Sequence, residues 1–302
     1  MTHLKGDIME IVNMSKSKFD SLKPLKLPNY VMNTEAEIFK FNYRGEDKIF
    51  KKLYHYDGIR FANKLYTLQA IDSNAIYIPD NFVVPEFLVS INRRIEGFVM
   101  PFIEGKNLSV IFKDYNIDNA EKKYYLKRIG QILEQIKNIR KYTSLTDFYI
   151  GDLHEDNIIV ENNKKNIHIV DFDSCKIMGN KPSPSRYLTP IALLNFTDRK
   201  YKEINDINIF ANYEIDENTD LYCYIIIILN FLYGENINNI GKDDFSEYLN
   251  YLNYLNIDLN LIDCFDRIVS NENNTNPMDY IETLTSEQIY KAKKKVYQAR
   301  NR

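Results

Sequence analysis

The first third of the chain alternates apolar and polar positions in short runs, a pattern typical of β-strands. Residues 29–54 alternate around two turn signals, which predicts a three-stranded meander. Apolar residues then recur every three positions over residues 56–71, as on one face of a helix. Two further strands are predicted at 86–91 and 95–103. Five antiparallel strands and one helix therefore predict a small α+β unit that ends near residue 102.

The rest of the chain has a mostly helical pattern. Asp118 is a candidate cap for a long helix in which apolar residues from Leu126 to Ile139 share one face. Residues 157–160 and 166–170 predict two short strands joined by a polar turn. The run 219–234 is apolar all round, which predicts a central buried helix. Three more helices are predicted, at 242–256, 258–270 and 285–300.

Composition narrows the class of protein. With 302 residues, 44% of them apolar, the chain can bury one large core or two modest ones. The net charge of -3 and the lack of a basic arm argue against nucleic acid as a partner. Three dispersed cysteines without C-x-x-C spacing argue against disulfides and zinc, and fit a cytoplasmic location. The longest apolar run, 222–233, falls short of the roughly twenty residues of a membrane span, so no membrane partner is predicted.

Acidic and amide side chains flank the two short strands. The stretch 149–173 reads YIGDLHEDNIIVENNKKNIHIVDFD and places Asp152, Asn157 and Asp171 near the strand ends. Carboxylate and amide oxygens are hard ligands of the kind that Mg²⁺ prefers. On the loop that enters the first strand, the Asp152 carboxylate has the chemistry to accept a proton from a substrate hydroxyl or to orient it.

GDLHEDN followed by VDFDS resembles the catalytic loop and the metal-binding D-F-G of the protein-kinase-like superfamily. The resemblance implies that Asp152 is the catalytic Asp and that Asn157 and Asp171 are ligands of Mg²⁺. It also implies ATP as the phosphoryl donor. The GDLH loop looks more like the aminoglycoside phosphotransferase branch of this superfamily, whereas the chain as a whole resembles a divergent bacterial or phage-type Ser/Thr protein kinase.

IFKKLY is similar to the third-strand motif whose lysine contacts the α- and β-phosphates of ATP. Lys51 fits best because Lys51 and Ile49 then share one strand face, and Lys52 is the alternative if the register slips by one. Residues 58–71 contain no carboxylate, so the helix Glu that pairs with this lysine in the family is absent. Gln69 is a candidate to orient Lys51 by a hydrogen bond, or a residue elsewhere takes that role.

GFVMPFIEG resembles the hinge between the two lobes of a kinase, with Met100 at the gatekeeper position. By the resemblance, adenine bonds to backbone groups of Pro101 and Ile103. Proline is compatible with this role because the carbonyl, not the missing N–H, is what its position contributes. The run that starts near Asp220 is similar to the central helix of the large lobe, where an Asp braces the catalytic loop backbone.

Several features of the family pattern are absent. MNTEAEIF, at 32–39, occupies the turn where the family has a glycine-rich loop. Ile150 and Gly151 precede the catalytic Asp in place of His and Arg, so we expect activity without loop phosphorylation. His154 is either a structural histidine or a group at the γ-phosphate. Asp173 stands where D-F-G has glycine, and we expect it to cap backbone N–H groups in a turn rather than bind a second metal.

The patterns predict a five-stranded antiparallel unit with one helix followed by a mostly helical region, and the resemblance implies that these are the small and large lobes of an α+β, bilobal protein-kinase-like fold. The expected boundaries are an N-terminal appendage at 1–24, a small lobe at 25–102 and a large lobe at 103–302. The expected activity is transfer of the γ-phosphoryl group of ATP to a hydroxyl. Ser or Thr of a protein is the first choice, because residues 171–220 leave room for a protein-substrate platform. A small-molecule kinase and an inactive pseudokinase scaffold are the alternatives.

Overall fold

The computed structural model describes residues 9–25, 36–54, 58–162, 166–180, 214–234, 249–270 and 275–300. Within these residues the protein is a mixed α+β structure with a five-stranded sheet, a three-stranded sheet and several helices. The α+β class predicted from the sequence is therefore confirmed. No helix among the described residues combines the length and apolar content that a membrane span requires.

The larger sheet has the strand order β1-β4-β5-β3-β2. Its strands are β1 (Ile11–Asn13), β2 (Ala36–Tyr43), β3 (Glu46–Leu53), β4 (Phe87–Ile91) and β5 (Arg94–Pro101). Four of them pair antiparallel, but β1 runs parallel to β4. The prediction of a purely antiparallel sheet is therefore wrong, because the fifth strand comes from the N-terminal segment. The first strand predicted for the 29–54 meander falls mainly on residues 29–35, which lie outside the described residues.

The two faces of this sheet pack against different helices. On one face, Phe39 and Phe50 contact Phe19 of the short helix α1 (Lys16–Asp20), with ring centroids 5.5 and 6.3 Å apart. The opposite face packs against Leu68 of α2 (Gly58–Ser73). Side chains alternate between the faces of a strand, so Lys51 of β3 lies on the α2 face.

The backbones of β3 and β5 approach each other closely at Gly97. Gly97 of β5 pairs with Lys52 of β3, and a Cβ atom at Gly97 would lie 2.0 Å from the Lys51 carbonyl oxygen. Only glycine permits this approach without moving one of the strands. The position of Lys51 is thereby fixed by backbone packing.

The helices after β5 are α3 (Leu108–Lys113), α4 (Asn119–Tyr142), α5 (Glu217–Tyr233), α6 (Leu259–Val269) and α7 (Ser286–Arg300), together with helical residues 249–254. The Asp118 carboxylate caps α4 by accepting a hydrogen bond from Glu121 N at 2.7 Å, as predicted. α5 is buried along nearly its whole length, which confirms the predicted central helix, and it ends at Gly234 in the left-handed region. The three helices predicted near the C-terminus are also confirmed within the described residues, whereas 242–248 lie outside them.

The smaller sheet carries the candidate site at one end. It consists of β6 (Gly105–Asn107), β7 (Ile158–Glu161) and β8 (Ile167–Ile169), all antiparallel. The segment after α2 joins it, because Val83 N donates to Ile169 O at 2.9 Å and Ile169 N donates to Asn81 O at 2.7 Å. This connection links the two sheets through the residues next to the site.

Candidate active site

Asp152, Asn157 and Asp171 meet at one end of the β7–β8 hairpin. Ile158 of β7 pairs with Ile169 of β8, and one step further Val170 N donates to Asn157 O at 2.9 Å. Asn157, just before β7, and Asp171, just after β8, therefore lie at the same end of the hairpin. The side-chain amide of Asn157 donates to the Asp152 carbonyl oxygen at 3.1 Å, which ties the preceding loop to the same end.

Asp220, at the start of α5, holds the loop that carries Asp152. Its two carboxylate oxygens accept hydrogen bonds from Ile150 N and Gly151 N, each at 2.9 Å. Burial raises the pKa of Asp220 to about 6, although these two hydrogen bonds act in the opposite direction. The prediction that Asp220 braces this loop is confirmed.

Glycine is required in the same loop. Gly151 has a φ of 79°, and a Cβ atom there would approach Ile215 Cδ1 to 3.0 Å. Both the left-handed conformation and the lack of space favour glycine. The IGD sequence thus fits the backbone that Asp220 holds.

Asp171 adopts a left-handed conformation, with φ 60° and ψ 30°, immediately before a 3-10 turn at Phe172–Ser174. Phe172 is buried against Phe82 and Phe148, with ring centroids 4.5 and 5.7 Å away. Asp is among the residues that tolerate this backbone region best. The buried aromatic contact fixes the turn and, with it, the direction of Asp171.

Lys51, Lys64, Asp171 and Asp173 form a single group of alternating charges, here called the charge cluster. Lys51 Nζ forms ion pairs with Asp171 and with Asp173, the latter at 2.9 Å. Lys64 Nζ of α2 lies 2.9 Å from the other carboxylate oxygen of Asp173. Lys51 and Asp173 are buried, while about a third of the Asp171 side chain is exposed, at 35%. The cluster connects β3, α2 and the turn after β8.

The two carboxylates of the charge cluster differ in their electrostatics. Burial raises the pKa of Asp171, and the neighbouring Asp173 charge adds to this effect against the attraction of Lys51. Burial also acts to raise the pKa of Asp173, but the ammonium groups of Lys51 and Lys64 outweigh it, so this pKa is lowered. Asp173 therefore stays ionised as the anion that both lysines share.

Three predictions about this region are decided by the cluster. Lys51, not Lys52, faces the site, because Lys52 Nζ lies on the other side of β3, 5.7 Å from the Phe19 ring centroid. Gln69 as the partner of Lys51 is wrong, since Gln69 is exposed and the two aspartates hold the lysine instead. Asp173 as a turn cap is also wrong, because its carboxylate is directed at two ammonium groups rather than at backbone N–H groups.

Sequence reasoning missed Lys64. Lys64 lies three residues after Phe61 and four before Leu68, and both of these residues pack towards the sheet. This helical spacing is the signal that could have placed Lys64 on the inward face of α2. The predicted apolar stripe on this helix is wrong at its start, because Ile59 is 82% exposed. Lys64 lies within the true inward face of α2, which the predicted stripe did not include.

The residues predicted to bind adenine lie at and after the end of β5. Met100 pairs with Ile49 and shares the strand face of Lys51, and Pro101 ends the strand. Ile103 lies in the short segment that leads to β6. Met100, Pro101 and Ile103 are all half-buried, and their contact with a nucleotide stays a prediction.

His154 lies directly beside Asp152. It is buried, its Nδ1 accepts a hydrogen bond from Asp156 N at 3.3 Å, and its Nε2 lies 3.8 Å from Asp152 Oδ2. These contacts favour the structural reading of His154, since it caps the 3-10 turn Glu155–Asn157.

The donor set at the hairpin end fits a magnesium ion. No group of three or more His, Cys, Asp or Glu side chains suited to a metal occurs in the described part of the chain. Magnesium, however, needs only one or two protein ligands besides phosphates and waters, and Asp171 with Asn157 supplies hard oxygens. Because the Asn157 NH₂ group donates to Asp152 O, the amide oxygen is the atom left for a cation.

Comparisons with known proteins do not assign this chain to a family. A scan against models of protein families finds no match, and a search of curated proteins finds no significant relative. The fold and site define a mixed α+β protein with a polar cluster between a sheet and a helical region. Membership of the protein-kinase-like superfamily stays a prediction.

Proposed function

We propose that this protein is an ATP-dependent phosphotransferase of the protein-kinase-like type, which transfers the γ-phosphoryl group to a hydroxyl. One observation carries the proposal: Asp152, Asn157 and Asp171 lie at one hairpin end, with Lys51 bound to Asp171. Phosphoryl transfer needs groups that position the phosphates and stabilise charge more than it needs reactive side chains. The hairpin end supplies the carboxylates and the amide, and the ion pair between Lys51 and Asp171 adds the lysine.

Each residue has a role in this proposal. Asp171 and Asn157 would hold Mg²⁺, which supplies charge neutralisation at the β- and γ-phosphates. Lys51 binds the α- and β-phosphates, and Asp152 orients the acceptor hydroxyl or takes its proton. Asp220 accepts hydrogen bonds from the backbone of the loop that carries Asp152. The loop is therefore held in place before substrate binds, and less conformational entropy is lost on binding.

The adenine is proposed to lie against the end of β5. Met100 shares a strand face with Lys51, so a base beside Met100 directs its phosphates along β3 towards the charge cluster. The carbonyl of Pro101 and the backbone of Ile103 offer the polar edge that adenine needs.

The acceptor is proposed to be Ser or Thr of a protein, with a small-molecule hydroxyl as the second candidate. Most of the 171–220 segment that favours a protein acceptor lies outside the described residues. The resemblance of the GDLH loop to the aminoglycoside phosphotransferase branch favours the second candidate.

The test is incubation of the full chain with radiolabelled ATP and Mg²⁺, with Asp152→Asn as the matched control. Label on Ser or Thr of an added protein supports the first acceptor, and label on an added aminoglycoside or sugar supports the second. Equal labelling by the wild type and Asp152→Asn refutes the assigned role of Asp152. A thermal-shift measurement covers the scaffold alternative, since ATP at about a hundred times its Kd adds about 2.7 kcal/mol of stability. If neither phosphoryl transfer nor a thermal shift is observed, the result contradicts the proposal and favours the scaffold.

A further inference from the structure

We propose that Lys64 is a positioning residue for nucleotide binding: by remaining with Asp173, it releases Lys51 to bind the phosphates. The inference rests on the proposed function, since it concerns the same site. It adds a residue that the motifs do not include, and it assigns to α2 a cation where the family pattern has an acid.

The geometry places Lys64 on both the side chain and the backbone of the turn. Its Nζ lies 2.9 Å from Asp173 Oδ2, 3.1 Å from Asp173 O and 3.4 Å from Ser174 Oγ. The Lys64 side chain is 12% exposed and that of Asp173 is 1% exposed. One ammonium group therefore fixes the turn that directly follows Asp171.

The charge balance explains why a second lysine is needed. Lys51 contacts both Asp171 and Asp173, so a phosphate that draws Lys51 away removes one cation from two carboxylates. A buried carboxylate without a partner is costly. With Lys64 in place, Asp173 keeps an ion pair while Lys51 moves. Without Lys64, Asp173 competes with the phosphates for Lys51.

This competition gives a signature that a purely structural contact lacks. Lys64→Met should weaken binding of Mg–ATP about tenfold, the lower end of the loss seen when a group that orients a metal ligand is removed. Lys64→Arg keeps the cation and should retain most of the affinity. The double variant Lys64→Met/Asp173→Asn removes the competitor as well, so affinity should return towards that of the wild type.

The experiment is titration calorimetry of Mg–ATP into the full chain for the wild type and these three variants. Lys113→Met, at an exposed lysine that ends α3, is the matched control. Circular dichroism checks the fold of each variant. If Lys64→Met does not fold, Lys64→Gln replaces it, because it removes the charge but keeps a hydrogen-bond donor.

The outcomes separate this inference from the proposed function. Weak binding by Lys64→Met with recovery in the double variant supports the inference. If the wild type binds Mg–ATP and Lys64→Met binds it with the same affinity, the inference is overturned and the proposed function stands. The same conclusion follows if the double variant binds Mg–ATP no more tightly than Lys64→Met. Absence of Mg–ATP binding by the wild type overturns both.

Discussion

The contact between Asp220 and the loop of Asp152 makes a prediction about stability and pH. Asp220 is buried and its pKa is raised to about 6 from the ordinary value of 3.8. At neutral pH the group is ionised in both the folded and the unfolded protein. As the pH falls through about 6, the folded protein takes up a proton, whereas the unfolded chain does so only near 4. The folded state is therefore stabilised as the pH falls, and this stability is lost again as the pH rises through 6.

The magnitude follows from the two pKa values. Since one pKa unit corresponds to about 1.4 kcal/mol, the wild type should gain about 2 kcal/mol between pH 7 and about pH 4.5 from this group. Asp220→Asn cannot titrate, so it should lack this gain. Other acidic groups are common to both proteins and cancel in the difference.

The assay is urea unfolding of the wild type and Asp220→Asn at several pH values between about 7 and 4.5. Asp263→Asn, at an exposed aspartate on α6, serves as the control and should track the wild type. A stability difference between wild type and Asp220→Asn that does not change with pH refutes the reasoning. A difference that changes in the opposite direction would show that Asp220 is stabilised as the anion by its two N–H donors.

Two further predictions concern β3 and its neighbour β5. Gly97→Ala should destabilise the protein by about 1–3 kcal/mol or more, because its Cβ would lie 2.0 Å from the Lys51 carbonyl oxygen, and an unchanged melting temperature would contradict this. Lys51→Met should abolish ATP binding while Lys52→Met retains it, since the two side chains lie on opposite faces of β3; calorimetry that finds equal losses would count against the assigned register.

Local sequence patterns were sufficient to predict those helices whose own residues show a clear apolar spacing or a capping residue. The spacing on α4 with its Asp118 cap and the all-round apolar α5 both correspond to observed helices. Strand alternation was enough to choose Lys51 over Lys52. The contact between Asp220 and the loop could be predicted only because a motif relates positions that are far apart in sequence.

Other features depend on tertiary contacts that no local pattern encodes. β1 is a three-residue strand that pairs with β4, and it is too short for its side-chain alternation to be recognised in the sequence. The inward face of α2 is set by what packs against it, which is why Ile59 is exposed and Lys64 is directed inward. Asp173 could not be assigned because its partners come from two other elements.

The most direct test of the central claim is the magnesium dependence of ATP binding, measured by calorimetry with and without Mg²⁺ for the wild type and Asp171→Asn. Asp171 is the carboxylate proposed to bind the metal, and its ion pair with Lys51 joins it to the residue proposed to bind the phosphates. We predict that Mg²⁺ strengthens ATP binding to the wild type and that Asp171→Asn loses most of this dependence. ATP binding that is absent from the wild type, or equally dependent on Mg²⁺ in both proteins, would contradict the account.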